Sequence, residues 1–131
     1  MTGYVLDDLV LTAGLAGTGR EHHRRELSRL LHGAIAGGPA LDIPACCLAA
    51  AALIRPALAD HLAEILAAAP PSAINITGLT RTGHLDTLRA SHPQIGWPVI
   101  HAAAHAQTTG QPMLTTDPNR YADIPVDVLS L

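Results

Sequence analysis

Short apolar runs alternating with helical stretches constrain this chain more than any other feature. The runs fall at residues 4–6, 40–43, 73–76, 111–115 and 126–129. Most successive runs are separated by segments of helical periodicity, too long for hairpins. Their strands are therefore predicted to lie parallel and to be joined by crossovers. The expected class is α/β, built on a small, mostly parallel sheet.

Local signals place the helices. Residues 8–15 read as a short helix ending at Gly14, Gly17 and Gly19. Thr18 with Glu21 three residues on has the form of a capping box and predicts the start of a second helix. In that helix Leu27, Leu30, Leu31 and Ile35 form an apolar stripe, and Arg20, Arg24, Arg25 and Arg29 take the other faces. Pro44 suits the opening of a third helix. Residues 46–54 are almost wholly apolar, which predicts a helix buried on most of its circumference. An amphipathic helix over 57–69 carries Asp60, His61 and Glu64 on its polar face and stops at Pro70-Pro71. Thr80 is expected to cap a helix running to about residue 90, and Pro98 to open one that ends before Gly110. Residues 118–121 read as a turn.

With 131 residues the chain is expected to form a single domain, 1–131, large enough to cover a small sheet. Phe is absent and only 2% of residues are aromatic, so the core must come from Leu, Ala, Ile and Val. No apolar run approaches the roughly 18 residues of a membrane span, and Met1 leads directly into a strand, so a cytoplasmic protein without membrane association is expected. Cys46 and Cys47 are adjacent, cannot staple distant segments, and are read as small buried hydrophobes in a reducing compartment. A formal charge of −3 gives no global attraction for nucleic acid.

Two acids stand out, because Asp7 and Asp117 each follow a strand-like run, and in a parallel sheet ligands and metals gather at the carboxyl ends of strands. The opening Tyr-Val-Leu-Asp7, the segment Asp42-Ile-Pro-Ala-Cys-Cys-Leu-Ala-Ala and the closing stretch from Ala102 through His105, Gly110 and Thr115 to Asp117 together resemble a PIN domain. The likeness extends over nearly the whole chain. It implies a three-layer α/β/α sandwich, a metal-dependent ribonuclease ancestry using Mg²⁺ or Mn²⁺, frequent homodimers, and membership, for many relatives, in bacterial toxin–antitoxin pairs. By the same resemblance Asp7 matches the first acid of the family's site and Asp117 the last, with Thr115 as hydroxyl neighbour.

The second and third acids of that pattern fall at Ala50 and near Val99. No Asp or Glu occurs between Asp42 and Asp60, or between Asp86 and Asp117, so a shift of register does not supply them. A hard divalent cation wants oxygen ligands in octahedral geometry, and two carboxylates hold it weakly. Asp8 is a candidate third carboxylate, although on a continued strand its side chain would point away from that of Asp7, and at a helix start it would serve the dipole. His101 and His105, four apart on one helix face, have a spacing that can hold a borderline metal such as zinc, and one of them could join Asp7 and Asp117 in a substituted site, against the simpler reading of structural or solvent-facing histidines. His22 and His23 read as surface residues. The arginines of the second helix fit RNA phosphates, an acidic partner or a solvated face. Trp97 suits a helix start or a dimer contact. A receiver-domain reading of Asp7-Asp8 fails for want of any Lys.

Two functional expectations follow. One is a PIN-like protein with a degenerate acidic site that acts by binding, to a second copy, to an antitoxin-like or regulatory protein, or to RNA. The other is an active Mg²⁺- or Mn²⁺-dependent endoribonuclease toxin using Asp7 and Asp117, with Thr115 and Asp8 or a histidine in support.

Overall fold

Five parallel strands in the order β3-β2-β1-β4-β5 form the sheet of the computed structural model, which describes residues 3–17 and 19–131. The strands are β1 (Tyr4–Leu6), β2 (Leu41–Pro44), β3 (Ile74–Thr77), β4 (Met113–Thr115) and β5 (Val128–Ser130). Six helices accompany them: α1 (Asp8–Leu15), α2 (Glu21–Ile35), α3 (Ala45–Ile54), α4 (Ala57–Ala68), α5 (Leu85–Ser91) and α6 (Trp97–Thr109). Every strand pairing is parallel, with Val5 opposite Asp42 on one side and Met113 on the other. The chain steps from β1 to β2 to β3 in one direction and then jumps back to β4. Right-handed crossovers therefore put α1, α2 and α4 on one face and α5–α6 on the other, the three-layer α/β/α arrangement, while α3 packs against both α1 and α6.

The central strands are buried on both sides. Val5, Leu6, Leu41, Ile43 and Met113 have no exposure, which explains why they read as continuous apolar runs. In α6 the alanines Ala102, Ala103, Ala104 and Ala106 are all buried against the sheet. Small side chains let that helix come close to the strands. Gly110, left-handed at φ 71°, ends it as expected.

Several local expectations need correction. α3 is not buried on most of its circumference: only Cys47 and Ala51, four apart, are fully inside, while Leu53 and Ile54 are 87% and 63% exposed. An all-apolar helix has no polar face to mark which side meets solvent. Pro44 ends β2 and occupies the cap position, with Ala45 as the first helical residue. The segment after β3 is broken into a 3-10 turn at Leu79–Arg81 and α5, because Gly83 and a left-handed His84 (φ 63°) intervene. The 118–121 turn is a 3-10 turn, Pro118–Tyr121. Thr18, and with it the capping box proposed there, lies outside the described residues; α2 begins at Glu21, and the side chain of His23 accepts from the Arg20 N–H. No described helix is long and apolar enough to cross a membrane.

Candidate functional site

The strand order reverses between β1 and β4, and the crevice at such a switch point is where α/β proteins place their ligands. Asp7 follows β1 there, and Thr115 ends β4. The same geometry makes Asp7 the N-cap of α1: its Oδ1 accepts the Val10 N–H at 3.0 Å. Its Oδ2 accepts the Tyr121 hydroxyl at 2.9 Å and Arg120 Nη1 at 3.1 Å, and the Thr115 hydroxyl bonds the carboxyl as well. Asp7 is wholly buried. Burial pushes its pKa above the ordinary value even though the Thr115, Val10, Arg120 and Tyr121 interactions all pull it down.

Asp8, first residue of α1, lies on the same guanidinium. Its Oδ1 accepts from Arg120 Nη1 at 2.8 Å. Asp7 and Asp8 therefore converge, because the chain turns into a helix at this point instead of continuing as a strand. Burial works against the charge of Arg120, but the bond to Asp8 and the charges of Asp8, Tyr121 and Asp7 together outweigh it and raise its pKa. Asp117 does not join them. Its side chain is exposed, and its backbone N–H donates to Thr115 Oγ1 at 3.1 Å. Ala50 is half-buried on α3 and Val99 is buried on α6, so neither brings a polar atom.

A divalent cation needs several oxygens with free lone pairs around one point. Here both Asp7 oxygens are taken by protein donors, Asp8 is taken by Arg120, and Asp117 faces solvent. Among the described residues no group of three or more His, Cys, Asp or Glu is placed to hold a metal ion. This donor set does not fit the cation that the sequence resemblance implies. Arg120 and Tyr121 escaped the sequence reading because they lie in a stretch taken only as a turn. The signal was present: a carboxylate buried at the end of a central strand must find partners, and Arg120 follows Asp117 by three residues.

The two cysteines are thiols, not thiolates. Burial raises the pKa of Cys46, and burial followed by the nearby Asp8 and Asp7 raises that of Cys47 well above normal. Cys47 Sγ donates to the Pro98 carbonyl and helps join α3 to α6.

A second polar group lies under α6. His101 Nδ1 accepts the Cys46 N–H at 3.3 Å, and its Nε2 meets Thr82 Oγ1 at 3.0 Å, while that hydroxyl also bonds the Gly78 carbonyl. These bonds fix one direction of donation, with Nδ1 bare and Nε2–H pointing at Thr82. Burial, and then repulsion by His105, lower the His101 pKa. One turn on, His105 Nε2 lies 3.0 Å from Asp42 Oδ2, and Asn75 donates to Asp42 Oδ1. Burial alone would raise the Asp42 carboxyl, but these hydrogen bonds and the His105 charge outweigh it and lower it. The histidines are thus bound into the packing of α6 against α3, β2 and β3, not turned toward Asp7.

On the far side of the sheet a cleft of about 350 Å³ opens between α1, α2 and α4. Leu15, Leu31, Ile35 and Ile65 line it, with Arg24 and His61 among its polar residues.

No protein-family model and no curated protein matches the sequence. Solved structures do match the fold. VapBC2 from Rickettsia felis, solved bound to a DNA fragment from its promoter, superposes with a TM-score of 0.68 at 16% identity, over 98% of each chain. FitAcB from Neisseria gonorrhoeae gives 0.61 at 17% identity over 96% of each chain. PAE2754 from Pyrobaculum aerophilum gives 0.57 at 16% identity, over 98% of this chain and 90% of the other. The fold of this chain is therefore PIN-like, a five-stranded parallel sheet with six helices around it.

Proposed function

We propose that this chain is a PIN-like protein that acts by binding an antitoxin-like protein and does not hydrolyse RNA. The observation that carries this reading is the saturation of Asp7. At the switch point between β1 and β4, the buried Asp7 carboxylate is closed by the backbone of Val10 and the side chains of Thr115, Arg120 and Tyr121. Hydrolysis of a phosphodiester would need that carboxylate open to a hydrated cation and an attacking water.

The cleft between α1, α2 and α4 supports the binding half of the reading. Its apolar lining suits the non-polar face of a short amphipathic segment, and Arg24 is the one arginine of α2 that lines it, Arg25 and Arg29 being paired with Glu21 and Glu26 of the same helix. The partner segment is therefore an amphipathic one. Many proteins of the family that the sequence resembles work in toxin–antitoxin pairs, and the neighbour VapBC2 was solved on DNA from its own promoter.

The test has two arms. Purified protein is incubated with structured RNA and Mn²⁺, and it is also co-expressed with the product of the gene immediately upstream. We expect no cleavage beyond a no-protein control, and co-purification that is lost on substituting a half-buried residue of the cleft, Ile65→Glu. Mn²⁺-dependent cleavage that disappears in Asp7→Asn would overturn the reading in favour of an active ribonuclease.

A further inference from the structure

We propose that Arg120 is the built-in cation of the Asp7–Asp8 pair: its guanidinium stands where the two carboxylates would otherwise call for a divalent ion, so the chain reaches its native state without metal. The inference rests on the binding reading above and deepens it by saying why the site is closed.

Geometry carries the case. A single nitrogen, Arg120 Nη1, lies 3.1 Å from Asp7 Oδ2 and 2.8 Å from Asp8 Oδ1, and Nη2 lies 3.5 Å from the second oxygen of Asp8. All three side chains are largely inside, with 20% of Arg120, 14% of Asp8 and none of Asp7 exposed. A guanidinium stays protonated at every pH a folded protein experiences, so this positive charge is permanent, as a metal's would be. Its delivery is also fixed. Pro118 opens the 3-10 turn that brings Arg120 and Tyr121 back over β1, and the Tyr121 hydroxyl anchors the adjacent residue on Asp7. A cation entering here would have to expel Arg120 and strip three hydrogen bonds to gain two carboxylates.

Thermal melts with EDTA or Mn²⁺, together with Mn²⁺ electron paramagnetic resonance of the wild type, test this directly. The wild-type Tm should be the same in both, and its Mn²⁺ spectrum should be that of the free ion. Arg120→Ala should lower Tm on the order of 10 °C in EDTA, since it leaves a buried pair uncompensated. Mn²⁺ should restore part of that loss, and adding Asp8→Asn should abolish the restoration. Arg120→Lys keeps the charge without the fork; it should melt above the alanine variant and stay indifferent to Mn²⁺, and it decides the case if the alanine variant does not fold. A wild-type Tm that rises with Mn²⁺, an alanine variant as stable as wild type, or a lysine variant as unstable as alanine would each overturn the proposal. A wild type that responds to Mn²⁺ without cutting RNA defeats the counter-ion alone; RNA cleavage defeats the binding reading as well.

Discussion

Tyr121 and Arg120 are neighbours in sequence, yet both donate to one atom, Oδ2 of Asp7, at 2.9 Å and 3.1 Å. Adjacent side chains normally diverge, and only the tight 3-10 turn lets them converge. The phenol is 2% exposed, and burial, followed by the charge of Asp7, pushes its pKa far above normal, so it is always a donor. Tyr121→Phe removes that donor without changing the packing. It should cost about 1–3 kcal/mol, the range for depriving a buried polar group of its partner. Urea denaturation would show this as a lower midpoint with an unchanged slope. An unchanged midpoint would mean that the hydroxyl adds nothing to the hold on Asp7.

His101 should make the protein acid-sensitive. Protonating Nδ1 would set a ring N–H against the Cys46 N–H that now donates to it. Its pKa in the folded chain is accordingly lowered from 6.5, by burial and then by His105. The unfolded chain therefore binds the proton more readily, so stability rises with pH across this window. The contribution is complete above pH 6.5 and is lost as pH falls toward the lowered folded value. Denaturation at pH 8 and at pH 5.5 should show a slope of up to about 1.4 kcal/mol per pH unit. In His101→Leu the protein should be weaker at pH 8, with the Cys46 N–H deprived of its acceptor, but the profile should flatten. A slope that survives the substitution would assign the effect elsewhere.

Two helical glycines should respond to alanine with opposite signs. A Cβ on Gly14 of α1 would lie 2.3 Å from Leu27 Cδ2 and 2.7 Å from Leu27 Cβ, where α1 crosses α2. A Cβ on Gly33 of α2 would meet nothing within 4 Å. Alanine gains up to about 1 kcal/mol of helix propensity at either place. Overpacking costs about 1–3 kcal/mol and applies only at Gly14. Gly14→Ala should lower Tm and Gly33→Ala should raise it. If both raised it, the α1–α2 contact would be looser than the geometry indicates.

The fold was legible because its signals are local and redundant. Gly110 stops α6, and the bounds of each apolar run lie within two residues of those of the strand it predicts. The α3 surface was not legible, because Ala49, Leu53 and Ile54 carry no polarity to show that they face outward. The site was half legible. Asp7 lies at the end of β1, as its position predicts, and the switch point between β1 and β4 is where strand order places it. Spacing alone could not show that Asp117 would face solvent while Arg120 turned inward. That outcome depends on the turn after β4, where Pro118 fixes the backbone and the Asp7 carboxylate selects the side chain that can neutralise it.

Asp42 offers the reverse acid dependence of a buried carboxyl. It lies mid-strand in β2, its Oδ2 bonded to His105 of α6 and its Oδ1 to Asn75 of the edge strand β3, so one carboxylate ties a helix to two strands. Burial raises its pKa, but the hydrogen bonds and the His105 charge win, and the folded value lies below 3.8. A group held more acidic in the folded state stabilises it when ionised. That stability is complete above pH 3.8 and is lost as pH falls through the folded value. Asp42→Asn keeps the shape and an accepting oxygen for His105, yet it turns an amide NH₂ toward Asn75 or His105 and removes the charge. The variant should be weaker than wild type by about 1–3 kcal/mol at pH 7, the scale of a hydrogen bond to a charged group. The gap should narrow steadily below pH 3.8, as the wild-type carboxyl takes up its proton. Chemical denaturation of both proteins at pH 7 and pH 3 measures it. A gap of equal size at the two pH values would show that Asp42 holds α6 through shape alone, and that its charge contributes nothing.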